Sequence, residues 1–261
     1  MHLPTFKTIS KNKLERILFE IAYNGTKYHG WQKQDNASTV QEIIEKNLSV
    51  LLKSKNNINI VGCGRTDTGV HAEQYFFHVD ISRDQDFGSL LKRLNLMLPS
   101  EILIKSYEIK NPDFHARFSA TSRTYEYRIS QKKEPFFNTM FNHISHNINV
   151  DLMNESCSKL IGFNDFTSFS KVHTEVNNFN CHVYEAFWIK KNHQIIFTIK
   201  ANRFLRNMVR AIVGTMLLVG RNKITVQEFS DIIVSKSRSS AGPSVKAKGL
   251  FLTKVDYNNN A

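Results

Sequence analysis

Cysteine is scarce. The three residues present, Cys63, Cys157 and Cys181, are odd in number and far apart. They offer neither a disulfide framework nor the close Cys pairs of a zinc site, which points to a reducing cytosol. Long apolar runs are missing too. Met1 to Ser10 leads into the charged stretch Lys11-Asn12-Lys13-Leu14-Glu15-Arg16, which excludes a signal-peptide core over these residues. No segment approaches the roughly 20 apolar residues of a membrane span, so a cytoplasmic protein without a membrane partner is expected. No Gly-Lys-Ser/Thr occurs, so nucleotide hydrolysis is not indicated. Acidic residues are outnumbered, 23 against 35 Lys plus Arg, for a net charge of +12. Such an excess favours an acidic partner, of which nucleic acid is the commonest.

What is present fits a core-forming α+β chain, with 41% hydrophobic residues in 261. Arg16 to Ala22 reads as a strand. Ser38 and Gln41 have capping-box spacing before a helix carrying Val40, Ile43, Ile44, Leu48, Leu51 and Leu52. Strands are predicted at Asn59 to Cys63 and Gln74 to Ile81, a helix from Phe87 to Leu98 stopped by Pro99, and a strand at Ile102 to Ile109. The same order recurs after the junction Asn111 to Thr121. It comprises a strand at Thr124 to Ile129, a helix at Leu152 to Leu160, a hairpin of His182 to Ile189 with Gln194 to Ile199, a long helix from Phe204 to Val219, and a strand at Leu250 to Val255. A short extra helix starts at Thr225 with capping-box spacing to Glu228. The expected fold is two ferredoxin-like βαββαβ halves, residues 1–112 and 113–261, forming a continuous antiparallel sheet with a central cleft.

The densest chemical segment is Gly62-Cys63-Gly64-Arg65-Thr66-Asp67-Thr68-Gly69-Val70-His71-Ala72, between two predicted strands. Arg65 and Asp67 sit two apart, so in extended chain both point to one side. The plain alternative is an Asp-Thr-Gly turn in which Asp67 bonds its own backbone. A second oddity lies in the long helix. Arg203, Arg206 and Arg210 fall at i, i+3 and i+7, while apolar residues cover most of the circumference. A guanidinium in the middle of so apolar a helix needs an anion. That anion is a carboxylate or a phosphate, the carboxylate being either a nearby Glu or Asp67 from the other half. Aromatic and basic residues also interleave from Phe114 to Tyr127, a composition suited to RNA but equally to cross-strand pairs.

Gly64-Arg65-Thr66-Asp67 followed by Gly69-Val70-His71-Ala72 resembles the signature of the tRNA pseudouridine synthase A family, the tRNA pseudouridine(38-40) synthases. The resemblance continues through Tyr28-His29-Gly30-Trp31-Gln32, Asp113-Phe114-His115-Ala116-Arg117-Phe118, Asn164-Asp165-Phe166-Thr167-Ser168-Phe169, Met208-Val209-Arg210 and Lys248-Gly249-Leu250. It implies a cytosolic bacterial homodimer whose basic clefts hold the tRNA anticodon stem-loop. It implies isomerisation of uridine to pseudouridine at tRNA positions 38, 39 and 40, without metal or cofactor. By motif match Asp67 is the catalytic aspartate and Arg210 its salt-bridge partner. Arg65 helps hold the flipped nucleotide, Tyr125 stacks on the target base, and Leu250 lines an apolar floor. Thr68 stands where the family usually has Ala, and the Asn-rich stretch Lys171 to Asn180 departs from the family pattern.

Other classes fit less well. Asp67-Thr68-Gly69 matches the aspartic protease triplet, but it occurs once, and that chemistry needs two carboxylates sharing a proton. His71-Ala72-Glu73 has the His-x-Glu of zinc deaminases without their Cys-x-x-Cys. The aromatic consensus of a purely RNA-binding RRM is missing.

Overall fold

The computed structural model describes residues 14–54, 58–133, 135–171 and 178–258. Most of the N-terminal stretch read for a signal peptide, and residues 172–177 of the Asn-rich stretch, lie outside the described residues. The first half contains β1 (Leu14–Tyr23), α1 (Val40–Leu51), β2 (Val61–Gly62), β3 (His71–Ser82), α2 (Phe87–Met97) and β4 (Ile102–Lys110). The second contains β5 (Ala120–Ser130), β6 (Asn142–His143), α3 (Val150–Ile161), β7 (Val183–Lys191), β8 (Gln194–Ala201), α4 (Met208–Gly220), α5 (Val226–Val234) and β9 (Leu250–Tyr257). The architecture is α+β.

One open, mostly antiparallel sheet runs in the order β4-β1-β3-β9-β5-β8-β7, with β2 added to β3 and β6 to β5. The expected continuity holds, but its centre is not antiparallel. There β3 and β9 pair in parallel, through His71 with Phe251 and Ala72 with Leu252 only. Both strands leave loops on the same side of the sheet at this short seam, so residues just ahead of each strand meet there.

Apolar alternation explains the strands. Ile17, Phe19 and Ile21 of β1 and Tyr75, Phe77, Val79 and Ile81 of β3 are buried at every second position. With the buried faces of α1 and α2 they form one core, which β9 completes with Leu252 and Val255. A second core gathers Tyr127, Ile129, Phe197, Ile199 and the apolar sides of α3, α4 and α5. Tyr125 packs against both.

Three boundaries differ from those expected. α1 is capped not by Ser38 but by Thr39, whose side chain accepts from the Glu42 backbone N–H at 3.4 Å. The predicted strand at Asn59 to Cys63 shrinks to Val61–Gly62, because only these two residues pair with β3. α5 has the expected reciprocal box, with Thr225 Oγ1 accepting from Glu228 N at 3.1 Å and Glu228 Oε2 accepting from Thr225 N at 2.7 Å. The largest revision concerns α4. It begins at Met208 and not at Phe204, because Asn207 takes a left-handed backbone conformation with φ 67°. Residues 202–207 therefore form an irregular arm. Arg203 and Arg206 precede the helix, and Arg210 sits in its first turn instead of its middle.

Candidate active site

The loop 63–70 feeds directly into β3 at the seam. Aromatic side chains brace it from below. The Tyr75 hydroxyl donates to Gly64 O, and Tyr23 shares a 2.9 Å hydrogen bond with the Thr66 hydroxyl. Trp31, stacked on Tyr75 with centroids 4.1 Å apart, donates its backbone N–H to Thr66 O at 3.4 Å. Gly69 N donates to Tyr28 O at 3.2 Å. Gly30 shows how tightly the layers fit. Its φ is +88°, and a Cβ there would stand 2.2 Å from Thr66 O. The Tyr28-to-Gln32 motif is therefore the platform under the Asp67 loop.

This platform presents Asp67 to the arm and helix of the other half. Arg210 Nη1 lies 3.4 Å from Asp67 Oδ2, and Arg206 Nε lies 3.9 Å from Oδ1. Arg210 is itself aimed by a second bond, since its Nε donates to Val245 O at 2.8 Å. The two oddities of the sequence thus answer each other across 143 positions of chain. Both partners are only partly exposed, 26% for the Asp67 side chain and 22% for Arg210, so the contact is shielded without being sealed.

The other expected site residues distribute as follows. Tyr125 of β5 is half-buried and meets Phe204 edge-on at 5.0 Å. Burial, and after it the neighbouring Cys63 and Asp67, raises its phenol well above the ordinary value, against the opposing charge of Arg123. Leu250 opens β9 opposite Tyr127 and is buried. Arg65 is exposed on the loop, and Asp67 forms its ion pairs with Arg206 and Arg210, not with Arg65. Arg203 turns elsewhere, donating to Asn178 Oδ1 at 3.4 Å.

Arg206, placed by its spacing on one face with Arg210 but given no role in the sequence, also reaches Asp67. Cys63, the nearest candidate nucleophile of another type, is buried, and burial pushes its thiol up to about 11. It stays protonated at neutral pH. His71 is structural. Its Nδ1 accepts from Gly25 N at 3.2 Å, which leaves the proton on Nε2 to be donated to Thr139 O at 3.0 Å. Among the described residues, no group of three or more His, Cys, Asp or Glu side chains could hold a metal ion. No helix of the described chain is long and apolar enough to cross a membrane.

A partly shielded carboxylate between two guanidinium groups can act as nucleophile or base. Comparison with known proteins gives this arrangement a family. The family model for tRNA pseudouridine synthase matches residues 21–119 and 157–258. The chain belongs to this family. It is 44% identical to a tRNA pseudouridine synthase A of Parabacteroides distasonis over 94% of this chain and 96% of the relative. Identity is 43% to the one of Porphyromonas gingivalis (94% and 98% covered), and 39% to that of Bacillus subtilis (94% and 100%). Pseudouridine synthases are isomerases, and this chain is an RNA-modifying enzyme of that class. Asp67 and Arg65 fall in the first matched block and Arg210 and Leu250 in the second, with Tyr125 between the two.

Proposed function

We infer that this enzyme isomerises uridine to pseudouridine in the anticodon stem-loop of tRNA, at positions 38, 39 and 40, with Asp67 as its catalytic carboxylate. The observation that carries the reading is the Asp67–Arg210 contact at 3.4 Å, made by residues from opposite halves at the seam. The family and the names of its relatives supply the substrate class.

The chemistry breaks the N1–C1′ bond of uridine, rotates the base, and joins C5 to C1′. The C5 proton is lost and N1 gains one, so substrate and product have the same atoms. No oxidant, reductant or group donor enters the balance, which supports a reaction without metal or cofactor. The base leaves its stack to reach the carboxylate. Tyr125 offers the ring on which it stacks, and Leu250 the apolar floor. Arg210 fixes the carboxylate, while Arg65 and Arg206, both exposed, meet the phosphates of the flipped nucleotide. The repeated strand order, β4-β1-β3-β2 and β9-β5-β8-β7, supports reading the sheet as two ferredoxin-like halves that divide near residue 112. The resemblance likewise supports a cytosolic homodimer.

Asp67→Asn keeps the shape of the loop and removes the nucleophile or base. Single-turnover pseudouridine formation is expected to vanish with tRNA binding retained. Normal turnover would remove Asp67 from the chemistry, and lost binding with an intact fold would make it an RNA-contact residue.

A further inference from the structure

Arg123 lies on β5, two residues before Tyr125, and is half-buried. A guanidinium carries five N–H donors in a planar fork. Four backbone carbonyls take up its two terminal nitrogens. Nη1 donates to Ala120 O at 3.1 Å and Asn202 O at 3.0 Å. Nη2 donates to Cys63 O at 3.0 Å and Arg117 O at 2.6 Å.

These carbonyls come from three separate segments. Cys63 opens the loop that carries Asp67. Arg117 belongs to the connector between β4 and β5, and Ala120 to the start of β5. Asn202 begins the arm that brings Arg206 and Arg210 to the carboxylate. One planar group therefore ties the loop holding Asp67 to the arm leading into α4. Among the described residues Arg123 forms no ion pair with a carboxylate. A packing role alone would be served by an apolar side chain without the cost of desolvating a charge.

We propose that Arg123 is a positioning residue of the isomerisation, which holds the Asp67 loop and the Arg210 arm at the separation where carboxylate and guanidinium meet. It touches no reacting atom. Lysine cannot replace it, because three donors on one tetrahedral nitrogen do not reach four carbonyls arranged around a plane. The inference rests on the reading of Asp67 as the catalytic carboxylate.

The test is single-turnover pseudouridine formation, steady-state kcat and KM, and a tRNA binding titration, for Arg123→Lys and Asp67→Asn on the same unmodified tRNA. Arg123→Lys is expected to lose roughly 10- to 100-fold in the single-turnover rate, as a displacement near 1 Å costs a reaction of this kind. KM and tRNA affinity should stay near wild type. In an Arg210→Lys background the same substitution should cost much less, because both act through one contact. Three outcomes overturn the proposal: an undiminished rate, strict additivity with Arg210→Lys, or a fall in tRNA affinity as large as the fall in rate. Should Arg123→Lys fail to fold, Arg123→Gln, which keeps two donors, is measured in the same way. Failure of both to fold assigns Arg123 to the fold alone and also overturns it. An inactive Asp67→Asn beside a fully active Arg123→Lys removes this inference only, whereas an active Asp67→Asn removes the reading beneath it.

Discussion

Tyr125 shows how the surroundings of one side chain decide its role. Its phenol is raised by burial first and then by Cys63 and Asp67, so it stays neutral at physiological pH and holds no charge to exchange. The ring remains, and an aromatic face stacks on any unpaired base. Tyr125→Phe should therefore keep most of the single-turnover rate, whereas Tyr125→Ala should lose about 1–3 kcal/mol of base contact. Both variants keep the pairing of β5 with β9, so the comparison isolates the side chain. A Phe variant as inactive as Ala, with an unchanged fold, would show that the hydroxyl takes part in the chemistry. Tyr125 could be singled out in the sequence only by family likeness, since alternating aromatics in a strand are as often core. Asp67 and Arg210 were more legible. Each is out of place in its local context, and the cheapest resolution of two misplaced opposite charges is that they meet.

At the scale of elements, α4 depends on the segment lying along it. Val245 N donates to Arg210 O at 3.2 Å, Gly242 N donates to the Thr215 hydroxyl at 3.0 Å, and Asn207 Nδ2 donates to Ser244 Oγ at 2.6 Å. Gly214 permits this approach, because a Cβ there would stand 1.8 Å from Pro243 O. An alanine gains about 1 kcal/mol of helix propensity in isolation. Here it must push a backbone carbonyl aside, at a cost of about 1–3 kcal/mol. It would also displace Val245, the residue that aims Arg210. Gly214→Ala should lower the melting temperature and the turnover together. Unchanged values for both would show that the segment yields freely and does not set the position of Arg210. The same region shows where sequence periodicity ends. Phe204 and Leu205 continue the apolar pattern of α4, so nothing in the spacing separates them from it. The break comes from the left-handed Asn207, held by a serine 37 positions away. Arg206 therefore meets Asp67 from the irregular arm and not from the helix in which its spacing placed it. The strand and helix order of both halves, by contrast, followed from apolar spacing, because each element buries one face.

Across the whole molecule, the seam was not legible, since the direction in which β3 and β9 pair depends on how two remote cores are brought together. With only two residue pairs along it, side chains carry much of its cohesion. His71 spans it, bonded to Gly25 N on one side and Thr139 O on the other, with its ring 4.5 Å from that of Phe251. Seven residues along β3, His78 Nδ1 accepts from Ala116 N at 3.1 Å and ties the connector to the sheet. Both imidazoles accept a backbone N–H, so both must lack a proton there. Burial lowers His71, against the opposing effect of its bond to Thr139. Burial, followed by the charges of Arg16 and His115, lowers His78 to about 4. A depressed folded-state pKa means that the unfolded chain binds the proton first. The stabilisation is then complete above the ordinary histidine value of about 6.5 and is lost as pH falls towards 4. Denaturant unfolding should show native stability flat near neutrality and declining below pH ~6.5, before most carboxylates titrate. Asparagine can offer a carbonyl oxygen near the position of Nδ1 without titrating. His71→Asn and His78→Asn should each make the decline between pH ~6.5 and ~5 shallower, even where they lower stability at neutrality. Slopes equal to wild type in both variants would place the acid sensitivity in other groups and leave these histidines as packing residues.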